Sequence, residues 1–149
     1  MIRHWAFFKR SDTTFGTFYP RQYVVAGYPS FEAAHAAESA FAASGVDADD
    51  VRAATGDFVV NRLEAHREVN WLQRTLAHVA EFAGAESSFL QDDAELANNG
   101  GAFLFLFAPN DSHVVHARII FSQYPPVYAR RYLNGMVERI IDPVREPTP

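Results

Sequence analysis

A chain of 149 residues with 48% hydrophobic content is long enough for one domain with a sizeable core and short for two. Its formal net charge of −5 argues against nucleic-acid binding, which calls for a basic face, and the absence of cysteine excludes disulfides, thiolate catalysis and cysteine-based metal sites. Thirteen phenylalanines, six tyrosines and two tryptophans call for an aromatic-rich core, or alternatively for an apolar pocket or an oligomer surface.

The opening MIRHWAFFKR lacks the long apolar stretch of a signal peptide, so a soluble cytoplasmic protein is expected. IRHWAFF and TTFGTFY are candidate short strands. QYVVAGY, Gln22–Tyr28, is a stronger one, rich in β-branched and aromatic residues and closed by Pro29. Ser30 can accept from an orphan N–H of a first helical turn, Glu32 suits the positive end of the helix dipole, and Gly45 suits a left-handed stop. These signals predict a helix over 31–44. The turn DADD follows, then the strand VRAATGDFVV, broken near Gly56.

Residues 61–101 read as a helical insert. Within it, Leu72, Leu76, Val79 and Ala83 share one face of a helix running from Asn70 to Gly84. SSFLQDDAELANNGG suggests a short helix that ends at its Asn-Asn-Gly-Gly turn. AFLFLFA, Ala102–Ala108, is a central strand apolar on both faces and far too short to span a bilayer, so no membrane contact is expected. Asn110 or Asp111 caps a helix through SHVVHARIIFSQ. PPVYARRYL and MVERII are strands joined by the hairpin signal Asn134-Gly135. The expected organisation is one domain over 1–142 and a proline-rich tail over 143–149.

The two strand–helix junctions repeat at an offset of 80: Pro29 matches Pro109, Ala34 matches Val114, Ala37 matches Ala117 and Phe41 matches Phe121. Two βαβ halves predict an α+β fold of the ferredoxin-like, split βαβ kind. That fold has an antiparallel sheet with its helices on one face, here with the insert between the halves. On the helical wheel Glu38 falls on the apolar face of the first helix, and its counterpart in the second half is Arg118. The expectation is that Glu38 and Arg118 pair between the helices. A part-exposed glutamate, and a ligand-binding or catalytic one, are the alternatives.

The run from Gly27 to Val51 resembles the βαβ domain of bacterial general stress proteins. The resemblance lies in Ala34, Ala37, Phe41, Gly45-Val46 and the acidic turn Asp47–Asp50, and it extends over residues 20–55. Glu38 stands where that pattern has an apolar residue, Phe41 where it has leucine, and the insert has no counterpart. The resemblance implies a small cytoplasmic module without catalysis and carries over no catalytic residues.

Few constellations point to chemistry. His113 and His116 lie three apart on a predicted helix and could share a metal ion given further ligands. The alternative is two helix-surface histidines. Glu32 and His35 read as a surface pair. The chain has no dinucleotide fingerprint, phosphate loop or nucleophile elbow, so no cofactor is expected. Tyr124, Tyr128 and Tyr132 fall on one face of a strand together with Arg130. An open ferredoxin-like sheet carries helices on one side only, so its other face must be solvated, covered by a terminus or paired with a second subunit. Pairing predicts a homodimer or higher oligomer, with a protein partner as the other occupant. The expected function is a non-catalytic regulatory or stress-associated binding module. The alternative is a small dimeric α/β-barrel enzyme or an apolar-ligand (haem-type) binder, drawing on Tyr128, Arg130, His113 or Glu38.

Overall fold

The computed structural model describes residues 11–12, 19–56, 92–93, 95–133 and 136–143. Two short strands, β1 (Ser11–Asp12) and β2 (Tyr19–Pro20), pair antiparallel with Ser11 opposite Pro20. The remaining strands are β3 (Tyr23–Tyr28), β4 (Val51–Thr55), β5 (Ala102–Phe107), β6 (Tyr128–Leu133) and β7 (Met136–Ile141). They form one five-stranded sheet in the order β4-β5-β3-β6-β7, and every neighbouring pair is antiparallel. Helix α1 (Phe31–Ala43) links β3 to β4, and α2 (Asp111–Gln123) links β5 to β6. The class is α+β. Each βαβ unit leaves a gap that the other fills: β5 lies between β3 and β4, and β3 lies between β5 and β6.

Local chemistry explains the element ends. Ser30 has extended backbone and its side chain accepts from Ala33 N at 3.2 Å, which starts α1 where the sequence predicts. Gly45 stops it, with φ at +105°, a region that L side chains rarely enter. The second helix starts differently. Its N-cap is Asn110, yet no side-chain cap bond forms, because Asn110 Oδ1 is taken by the Ser112 hydroxyl and by His113 Nδ1. Asp111, the other predicted cap, reaches Arg131 instead, at 2.9 Å.

Helix α1 packs on β4, β5 and β3, and against α2. The residues it buries, Ala34, Ala37 and Phe41, are those the repeat marks, and so are Val114, Ala117 and Phe121 of α2. They meet Val24, Ala26, Leu104 and Leu106 from one face of the sheet. Phe41 and Phe121 are themselves in contact, edge to face, with ring centroids 5.7 Å apart and planes at 80°. Each such burial is worth roughly 1.5–3 kcal/mol, and the ring pair adds about 0.5–1.5 kcal/mol.

The opposite face carries Val25, Phe103, Phe105, Tyr128, Arg130 and Tyr132, and all six are buried within the single chain. Tyr124, which the sequence places on the same strand face, instead ends α2 and is 38% exposed, because the strand begins only at Tyr128; the face itself is covered at Tyr128, Arg130 and Tyr132 rather than left open. From the insert, residues 92–93 and 95–98 are helical, and the turn at Asn99–Gly100 follows. Leu96 lies against Gly27, where an added Cβ would come within 2.7 Å of its Cδ2, so the sheet is bare at that point to admit it. The predicted helix over 70–84, the strand IRHWAFF, the Asn134-Gly135 turn and the tail beyond Pro143 lie outside the described residues. Among the described residues no helix is long and apolar enough to cross a membrane.

Candidate functional site

Alternation along β6 sorts its side chains. Ala129 and Arg131 take the helix side, and Tyr128, Arg130 and Tyr132 take the other. Arg131 Nε donates to Ala108 O at 3.1 Å and one guanidinium nitrogen reaches Asp111 at 2.9 Å, which ties β6 to the start of α2. Arg130 is only 2% exposed and takes its counter-charge from Asp93, which is fully buried. Asp93 Oδ1 accepts from both the Arg130 guanidinium and the Tyr128 hydroxyl. A second Arg130 nitrogen donates to Tyr132 Oη at 3.3 Å, and the guanidinium carbon sits 4.4 Å from the centroid of the Tyr128 ring. Asp93 Oδ2 takes no hydrogen bond from any described residue.

The electrostatics follow from burial. Loss of solvent pushes the Asp93 carboxyl above its ordinary range, and the Arg130 charge with the two donated hydrogen bonds opposes that push. Burial also disfavours the Arg130 cation, but Asp93, Tyr132 and Tyr128 outweigh it and hold the group above its ordinary value. Burial, and then the Asp93 charge, raise the Tyr128 phenol, which therefore stays a neutral donor. Tyr28 is raised by burial as well, and it donates to Tyr124 O at 2.7 Å.

Sequence reasoning named Tyr128 and Arg130 and missed Asp93. The signal was present. Two adjacent arginines on a strand otherwise apolar must find counter-charges when buried, and the Asp92-Asp93 pair supplies acids just ahead of β5.

The other predicted pairing is corrected. Glu38 does not engage Arg118. Its Oε2 accepts from Ala53 N of β4 at 2.7 Å and its Oε1 meets His35 Nδ1 at 2.9 Å, so His35 pairs with Glu38 rather than with Glu32. Arg118 donates to Ile140 O of β7 at 3.2 Å. The two helices turn these residues outward to the flanking strands, and the phenylalanines take the contact between them. Glu38 thus satisfies a backbone donor on β4, one of the two outermost described strands of the sheet, which blunts that edge.

His113 and His116 border an open cleft of about 310 Å³ with Asp47, Asp50, Ser112 and Phe107. Their rings take separate partners. His113 Nδ1 meets Asn110 Oδ1 at 2.7 Å, and His116 Nε2 meets Ser44 Oγ at 2.8 Å. Among the described residues no group of three or more metal-ligating side chains is arranged to hold an ion. Ser44 and His116 resemble a nucleophile with its base, but the Ser44 hydroxyl donates to Phe41 O at 2.7 Å. With that proton committed, His116 acts as the donor, so the pair does not activate the serine. Comparison with family models, curated proteins and solved structures gives no match, so the functional reading rests on the residues themselves.

Proposed function

We propose that this chain is a non-catalytic binding module, regulatory or stress-associated and cytoplasmic, that acts by associating with a second copy of itself. Its sheet is read as a ferredoxin-like split βαβ with β7 added beside β6. The interleaving of the two βαβ units supports that plan.

The observation that carries the self-association is the outward face of α2. Val114, Ala117, Ile120 and Phe121 are buried, whereas Ser112, Val115, Ile119 and Ser122 face water. Val115 is 62% and Ile119 55% exposed. The order small-polar, apolar, apolar, small-polar of Ser112, Val115, Ile119 and Ser122, spaced three, four and three, is the same from either end. Two antiparallel copies of α2 therefore place Val115 of one on Ile119 of the other, with small serines at both ends where the backbones close up. A patch that complements itself under a twofold axis is what an isologous dimer requires. The enzyme reading has less support. Glu38, His113 and the Tyr128–Arg130 pair are each engaged at separate places, and the aromatic sheet face that a barrel dimer would share is closed within one chain.

Sedimentation velocity across micromolar concentrations tests the reading. Wild type is expected above the monomer mass. The double substitution Val115→Lys, Ile119→Lys, at positions more than half exposed in the monomer, is expected to sediment as a monomer with an unchanged far-ultraviolet circular dichroism spectrum. A wild-type chain that stays monomeric over that range removes the proposal.

A further inference from the structure

The open cleft beside His113 and His116 has two polar walls. One is the turn after α1, with Gly45, Asp47 and Asp50, and the other is the start of α2, with Ser112, His113 and His116. Val46, Leu106 and Phe107 are its apolar residues, and its volume of about 310 Å³ is at the small end of the range for small-molecule sites.

The side-chain protons on the α2 wall are committed. Asn110 Oδ1 can only accept, so the Ser112 hydroxyl donates to it and His113 carries its proton on Nδ1. Ser44 gives its proton to Phe41 O, so His116 carries its own on Nε2 and donates to Ser44. The neutral rings are therefore held in opposite tautomers. Each keeps a lone pair, on Nε2 of His113 and on Nδ1 of His116, that meets no partner among the described residues. An edge contact with Phe41, centroids 6.3 Å apart, steadies the His116 ring. The facing wall brings two carboxylates, and Asp47 uses one oxygen on Asp49 N at 3.1 Å. Backbone donors are committed too, since the N–H groups of Gly45, Val46, Asp50, Phe107 and His113 bond to carbonyls.

We infer that this cleft binds a small primary alkylammonium ion. An ammonium carries three donors and no acceptor, the inverse of walls whose side chains offer lone pairs. The carboxylates supply the counter-charge, the two imidazole nitrogens accept N–H bonds, and the alkyl chain lies along the apolar residues. An anion would meet two carboxylates and no uncommitted side-chain proton. A metal ion would need three ligating groups brought together, which the described residues do not provide. The inference goes beyond self-association, with which the cleft shares only Ser112, and its test reads binding rather than mass.

Titration of the full chain with n-butylammonium chloride tests it, at about pH 8, where an ordinary imidazole is neutral. Binding is followed by the NMR resonances of the histidine ring nitrogens and the backbone amides, against sodium chloride at matched ionic strength. The expected result is a saturable shift of the His113 and His116 ring nitrogens and of the Asp47 amide that sodium chloride does not reproduce. Tetramethylammonium has the same charge and no N–H, and is expected to leave those resonances in place. Asp47→Asn/Asp50→Asn keeps the shape of both side chains and removes the charge, and should weaken binding by about tenfold or more. No saturable shift in the wild-type chain overturns the inference, and so does an equal response to tetramethylammonium. A folded double variant that binds n-butylammonium as wild type does overturns it as well. Should that variant not fold, the two ammonium ions compared on the wild-type chain decide the matter.

Discussion

The two βαβ halves agree in their apolar residues and part company in their polar ones. Ala34, Ala37 and Phe41 of α1 have their counterparts in Val114, Ala117 and Phe121 of α2, and all six are buried. Yet Ser30 caps its helix and Asn110 does not. Glu38 accepts from a strand N–H where Arg118 donates to a strand carbonyl. The one arginine on the strands of the first half, Arg52 of β4, is exposed, whereas the second half carries two buried arginines on β6. The shared positions answer to the one interior that both helices line. The polar positions answer to whatever lies outside each helix, and the two outsides differ.

Removing the counter-charge of the second half is expected to have the largest effect. Asp93→Ala leaves Arg130 buried without its acid and should cost about 3–5 kcal/mol in urea unfolding. Replacing both members, as Asp93→Leu with Arg130→Met, should return most of that loss, because a charge-free pair of similar volume needs no partner. If the single variant costs no more than an ordinary surface change, under about 0.5 kcal/mol, the second half does not depend on its ion pair and the contrast drawn above fails.

What could be read from the chain divides along the same line. The apolar spacing marks both helices to within a residue or two, and the offset of 80 marks which positions enter the core. That legibility comes from periodicity, which an interior imposes on every element that borders it. Glu38 could not be assigned in the same way. Its place on the wheel is right, but a wheel reports direction and not distance. Its long side chain reaches past the helix to Ala53 N, and no local rule says which strand lies there. Asp93 was harder still, since it meets Arg130 from 37 residues away and its neighbour Asp92 is equally acidic in the sequence. The burial of the second face could not be chosen over solvation or pairing, because no local rule says which distant segment covers a sheet.

The shared core has its own test, of intermediate size. Phe41 and Phe121 hold equivalent places and touch edge to face at 5.7 Å. Phe41→Leu and Phe121→Leu keep apolar volume and lose the ring contact, so each should be modestly destabilising. In a double-mutant cycle the pair should show a coupling of about 0.5–1.5 kcal/mol, well beyond the additivity of distant sites. Coupling indistinguishable from zero would mean that the two halves share an interior without depending on this contact.

The smallest effect discriminates most directly between the halves. Ser30→Ala removes an acceptor from Ala33 N, one of the donors that α1 cannot satisfy within itself, and should cost about 1 kcal/mol. Asn110→Ala at the matching place in α2 should cost less than half as much. Asn110 has the extended backbone of a cap, but its oxygen is held by Ser112 and His113 side chains at the surface and meets no backbone N–H. His113 N is served instead by the Asn110 carbonyl at 3.2 Å, which the substitution keeps. Both changes trade a polar side chain for a methyl group at a helix start, so propensity contributes alike to the two and cancels in the difference. Urea midpoints for the two variants, taken at equal m-values, therefore isolate the cap itself. Equal losses would show that Asn110 caps α2 in solution, and the two halves would then be alike at their helix starts and unlike only on their outer faces.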